Sequence, residues 1–142
     1  MDHVVYLDTR ANELENLLTG KKTMILRGAA GRKLPHGRVK RGDILYFMRN
    51  NGEGLVKARA LVKSVFHSDQ LSPDESRKIV HDNQPRLQLN ESLLNRFAGK
   101  RFLVLVEVED IEPLDAFAID RDRFSNMDDW LPVGQIDTVI TV

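Results

Sequence analysis

Asn50-Asn51-Gly52-Glu53-Gly54 lies between two stretches suited to pairing with one another. Before it, Ile44-Leu45-Tyr46-Phe47-Met48 reads as a buried strand. After it, Leu55 to Phe66 alternates, with Val56, Ala58, Ala60 and Val62 against Lys57, Arg59, Leu61 and Lys63. Asn and Gly supply the positive φ that tight connections need, and a period of two gives a strand one apolar and one wet face. An antiparallel hairpin therefore occupies the middle of the chain, and the remaining elements must be compatible with it.

Upstream, Val4-Val5-Tyr6-Leu7 is a short β-rich run. Ala11, Leu14, Leu17 and Leu18 then recur at helical spacing, which predicts a helix over Arg10 to Thr19 with Gly20 as its left-handed cap. Thr23 to Arg27 reads as a strand, with Thr23, Ile25 and Arg27 on one face and Lys22, Met24 and Leu26 on the other. Gly28 to Arg41 carries three glycines, one proline and five Lys or Arg, and reads as a long loop. Downstream, Ser72-Pro73-Asp74-Glu75 is a helix start whose helix runs to about Asn83 and is interrupted by Pro85. Asn90-Glu91-Ser92 opens a shorter helix through Phe97, closed by Gly99.

Phe102 to Val108, apolar apart from Glu107, is the candidate central strand. The tail from Glu109 is acidic, and Trp130, Leu131, Val133 and Val139-Ile140 supply closing strands. Strands joined by hairpins, with helices inserted at one or two points, predict an α+β fold: a small, mostly antiparallel β-barrel in one domain over residues 1–142.

The net charge of zero conceals a separation. Lys21 to Lys63 holds twelve Lys or Arg against two acids, Asp43 and Glu53, and the rest of the chain is correspondingly acidic. Cations crowded into a loop repel one another, and an anionic partner relieves that repulsion. With 42% hydrophobic and 30% charged residues the chain reads as globular rather than disordered. It has no cysteine, which removes thiolate chemistry, disulfides and Cys-based metal sites. No leader-like segment and no apolar run near 18 residues is visible, so no membrane contact is implied and a cytoplasmic location is expected.

Gly20-x-Lys22-x-x-Ile25-x-Arg27 resembles the Gly-x-Lys-x-x-Glu-x-Arg signature of the ASCH group in the PUA-like superfamily. Gly42-Asp43-Ile44-Leu45 is similar to the turn and strand that follow it in those domains. The resemblance covers roughly residues 3 to 112. It implies a PUA-like barrel with a cleft beside the signature and a role in binding RNA or a nucleotide-like ligand. The sixth signature position is often Glu, and in related small amidases that deacetylate N4-acetylcytidine it is a nucleophilic Thr. Here it is Ile25, so an amidase reading would need Thr23 or a water instead, with Lys22 beside it. The further acid which that reading implies would correspond to Asp82 or Glu91.

Other motifs add little chemistry. Gly28-Ala29-Ala30-Gly31-Arg32-Lys33 lacks the spacing and the Ser or Thr of a P-loop. His3, His36, His67 and His81 share no metal-ligand spacing, and Asp120-x-Asp122 and Asp128-Asp129 do not follow an EF-hand. Tyr46 and Phe47 adjoin the basic loop as stacking candidates, although the neighbouring Ile44, Leu45 and Met48 favour the core for Phe47.

The expected binding face is Lys22, Thr23, Arg27, Arg32, Lys33, Arg38, Lys40 and Arg41, with Lys22 and Arg27 at the floor of a cleft. No catalytic residue, metal or cofactor is implied. The alternatives are a small amidohydrolase acting on an acylated nucleoside, and a protein-interaction module in which the basic segment docks on the acidic tail of a second copy. The oligomeric state leaves no trace in the sequence.

Overall fold

A computed structural model describes residues 1–124 and 128–141. In chain order its elements are β1 (Asp2–Leu7), α1 (Glu13–Leu18), β2 (Met24–Ala29), β3 (Ile44–Arg49), β4 (Leu55–His67), α2 (Pro73–Leu87), α3 (Glu91–Phe97), β5 (Phe102–Ala118) and β6 (Trp130–Gly134). Single 3-10 turns at Arg121–Arg123 and Ile136–Thr138 flank β6. The strands form one six-stranded sheet in the order β2-β5-β4-β3-β1-β6, curled into a half-barrel. Every pairing is antiparallel except that of β1 with β3. The α+β, mostly antiparallel architecture is the expected one.

Three apolar clusters follow from strand alternation. The inner cluster lies within the curl, where Val5, Ile25, Phe47, Ala58, Val106 and Trp130 meet Leu14 and Leu17 of α1. Met24 and Leu26, on the opposite face of β2, pack with Val80, Leu87, Leu93 and Phe97 of α2 and α3. Val4, Tyr46, Met48 and Val56 are covered from outside by Ile119, Leu131, Ile136 and Val139. The sequence-based division of β2 into two faces is thus the division between two cores.

Four predicted elements differ from the structure, one of them Val139-Ile140, which forms no strand but a single bridge from Ile140 to Ile119 after a 3-10 turn. The first helix begins at Glu13 rather than Arg10, because the Asp8 carboxylate accepts from the Ala11 N–H at 2.8 Å and Asn12 is left-handed at φ 54°. That local turn competes with helix in the first three residues. Pro85 does not end α2: it occupies the last turn, two residues before Leu87, on the exposed side. Strand β5 does not stop at Val108 but pairs with β4 as far as Ala118. The α2 start is as predicted: Ser72 accepts from the Glu75 N–H at 3.1 Å, and the Glu75 carboxylate accepts from the Ser72 N–H at 2.9 Å.

A buried polar network closes the base of the sheet. The His3 ring is fully buried. Trp130 Nε1–H donates to its Nδ1 at 3.1 Å, so Nε2 carries the proton and donates to Asp43 at 2.8 Å. Asp43 also accepts from the Lys40 N–H at 2.9 Å and lies 3.4 Å from the amino terminus. Burial lowers the His3 pKa from its ordinary 6.5, against the opposing pull of Asp43. The unfolded chain therefore takes up this proton at a higher pH than the folded one. The contribution of His3 to stability is complete above 6.5 and falls as pH drops below it. Burial disfavours the Asp43 carboxylate, but His3, Lys40 and the terminal ammonium hold it below 3.8, so its share is lost only in stronger acid. We expect denaturation midpoints to decline below about pH 6.5, with a slope approaching ~1.4 kcal/mol per pH unit. His3→Gln should flatten that limb, and an unchanged slope in the variant would reject the assignment.

Candidate nucleic-acid interface

Arg27 is the last large side chain on the inner face of β2, and it reaches across the open side of the half-barrel. Its Nη1 donates to Leu26 O at 2.9 Å and its Nη2 to Tyr6 O of β1 at 2.7 Å. Nε lies 3.4 Å from Asp129 Oδ2, and the guanidinium sits 5.7 Å from the Trp130 ring. Only 8% of Arg27 is exposed, and that part lines a cleft.

The cleft is walled by Gly28, Lys33, His36, Arg96, Phe97 and Phe102, with Asp129 also at its edge. Arg32 stacks over Phe102 at 5.5 Å, and Arg96 over Phe97 at 5.0 Å. Lys33 has a side chain 65% exposed and lies 3.3 Å from Asp128. Gly28 allows the close packing here, since a Cβ would fall 3.1 Å from a Leu103 methyl and 3.3 Å from Lys100 Cβ. The cleft volume of about 60 Å³ is well below the ~150 Å³ that admits a benzene ring, so it suits a compact anion or a few waters.

Lys22 is not at this floor. It is 1% exposed; its Nζ donates to Leu87 O at the end of α2 and lies 3.3 Å from Glu13 Oε2. The other Glu13 oxygen accepts from the Asp8 N–H at 2.9 Å. The ammonium thus meets the negative end of α2 and a carboxylate in the first turn of α1. Burial lowers its pKa despite Glu13, and the positive charge of Arg27 lowers it further. Thr23 is half-buried, with its backbone paired to Arg86 O and the Val108 N–H, each at 3.0 Å. Ile25 is fully buried in the inner cluster.

The eight candidate residues therefore occupy three places. Lys22 and Thr23 are built into the junction of α1, β2 and α2. Arg27, Arg32 and Lys33 gather at the cleft. Arg38, Lys40 and Arg41 are exposed further along the loop, beside β4. Tyr46 and Phe47 are both buried, so neither offers a stacking face. The sequence reading missed Arg96 and Phe102. Arg96 lies 69 residues from Arg27 in the chain and looks like an ordinary basic residue in the last turn of a helix. The acidic part of β5 is partly neutralised within the chain: Glu112 pairs with Arg59, and Glu107 with Lys63 and Arg86.

No protein-family model and no curated protein matches this chain. Among solved structures, ASCH from Zymomonas mobilis superposes with a TM-score of 0.68 at 14% identity, over 96% of this chain and 90% of that one. A ZmASCH point mutant from the same organism gives 0.71 at 15% identity, over 96% and 93%. The fold is that of an ASCH domain. Identity this low speaks for the backbone path of an ASCH fold and not for its ligand. Within that ASCH fold, the stretch from Gly20 to Arg27 runs from the end of α1 into β2, and the cleft opens at its Arg27 end. Among the described residues, no helix is long and apolar enough to cross a membrane.

Proposed function

We propose that this ASCH-fold chain binds RNA, or a nucleotide-like ligand, by seating a phosphate in the cleft at Arg27. What supports the reading is the convergence of Lys33, Arg96 and His36 around the exposed part of Arg27, in a cleft too small for an aromatic ring. Arg32 and Phe102 add a cationic and aromatic border at which a base can remain outside. Planar guanidinium groups suit phosphate oxygens because they donate in pairs. With RNA as the ligand, the cytoplasm is the matching compartment.

Nothing favours the amidohydrolase reading: Ile25 offers no nucleophile, and Lys22 is engaged by Glu13 and Leu87 O rather than by Thr23.

The test is fluorescence anisotropy with a labelled single-stranded RNA across a salt series. Log affinity should fall with log salt by about 0.7 per phosphate neutralised. Lys33→Glu with Arg96→Glu, both at exposed positions, should weaken binding more than about tenfold at low salt and reduce the slope by ~1.4, for two lost contacts. A flat salt response, or unchanged affinity in the double variant, would reject the proposal.

A further inference from the structure

The second half of the basic loop is held against β4. The His67 Nε2–H donates to Val39 O at 3.0 Å, and its Nδ1 accepts from the Gly37 N–H at 3.0 Å. His36 Nε2 bonds Ser68 O at 2.8 Å. Gly42 N–H donates to Val62 O at 2.9 Å, and Val62 N–H to Asp43 O at 2.8 Å. Since β3 pairs with β4 only as far as Leu61, residues 36–43 continue along the edge that β3 leaves.

Side-chain direction along this edge is set by what enters the core. Val39 is fully buried in the inner cluster, so Arg38 and Lys40 on either side of it face outward. On β4, Val62 and Val65 join the same cluster, leaving Lys63, Ser64 and Phe66 exposed. Phe66 is 48% exposed and is the one exposed aromatic among the described residues. A single exposed apolar side chain is ordinarily unremarked surface. This one lies beside a cationic edge: Arg38, Lys40 and Arg41 make no side-chain ion pair or hydrogen bond among the described residues, and Lys63 shares Glu107 with Arg86. The cleft wall reaches this strand at His67, 5.3 Å from His36, and since neighbouring strand residues leave opposite faces, Phe66 lies on the other face of β4, beside Leu105 rather than Val104.

We propose that Phe66 is a stacking platform for an unpaired base of single-stranded RNA whose phosphates run along Arg38, Lys40 and Arg41. This rests on the RNA-binding reading and extends it: a strand with one phosphate in the Arg27 cleft rounds the end of the sheet at the His36–His67 pair and lays a following base on the Phe66 ring, on the other face of β4. An aromatic face accepts any base, so this contact adds affinity without strict sequence preference.

The test uses a single-stranded RNA of about a dozen nucleotides, bound by the full chain, with four variants. Phe66→Ala should weaken binding about 5- to 150-fold, the range measured for loss of one stacked base, whereas Phe66→Trp should retain it. Arg38→Ala, Lys40→Ala and Arg41→Ala together should reduce the salt slope by about 2. Phe66→Ala binding like the parent, or Phe66→Trp losing as much as Phe66→Ala, overturns the platform. If Lys33→Glu with Arg96→Glu abolishes binding while Phe66→Ala leaves it intact, the platform fails and the cleft stands. A parent protein that does not bind the RNA overturns both.

Discussion

Lys22→Ala is expected to destabilise the fold by about 3–5 kcal/mol, the range seen when one partner of a buried ion pair is removed. The substitution leaves the Glu13 carboxylate buried without its cation and leaves Leu87 O without a donor, at the point where α1, β2 and α2 meet. The combination Lys22→Met with Glu13→Gln removes both charges while keeping the volume, and should lie within about 1–2 kcal/mol of the parent, since apolar or neutral replacements of buried pairs are often tolerated. Urea denaturation of the single and double variants measures the coupling directly. The same double variant separates structure from ligand contact: with the ammonium sealed from solvent, it should bind RNA as the parent does. A near-neutral Lys22→Ala, or a stable double variant that has lost RNA binding, would return Lys22 to the binding face.

Trp130→Ala should cost a further ~3–5 kcal/mol in its own background, the usual range for deleting a large buried aromatic. The indole is fully buried in the inner cluster, donates to His3, and lies under the Arg27 guanidinium. Its removal thus opens a void and strips two polar neighbours of their support. Trp130→Phe keeps most of the ring and loses only the N–H, so it should cost less, about 1–3 kcal/mol for the unpaired His3 nitrogen. Equal losses in the two variants would mean that the hydrogen bond, rather than the filled volume, carries the effect. Chemical denaturation at neutral pH separates them.

Features set by neighbours in the chain were legible in advance. The Ser72–Glu75 box, the Gly20 cap at φ 79° and the Asn50–Gly54 connection each depend on residues within a few positions of one another. The two faces of β2 were legible because alternation is a local rule. Elements that depend on distant partners were not. The strand from Glu109 to Ala118 carries exposed acids and a left-handed Asp110 at φ 52°, and its register with β4 shifts, so no clean period marks it. Its pairing is visible only from β4.

The candidate site divides in the same way. Grouping Lys22 with Arg27 follows from their spacing, yet Lys22 lies ahead of β2 and turns to Glu13 and Leu87 O, while Arg27 leaves the inner face of the strand. Only the three-dimensional position of Glu13, nine residues earlier and folded back by α1, decides that Lys22 is sealed. Likewise the cleft needs Arg96 and Phe102, brought to Gly28 by the pairing of β2 with β5.

The position of β1 has a bearing on biosynthesis. This first strand sits between β3 and β6, and its neighbour on one side is not translated until Trp130–Gly134. A nascent polypeptide emerging from the ribosome can complete the β3–β4 hairpin early, but Val4 and Val5 keep one flank unpaired until Trp130 and Leu131 have followed. Stalling or premature termination upstream of Trp130 would leave that flank open to pairing with other chains, as unpaired strand edges are.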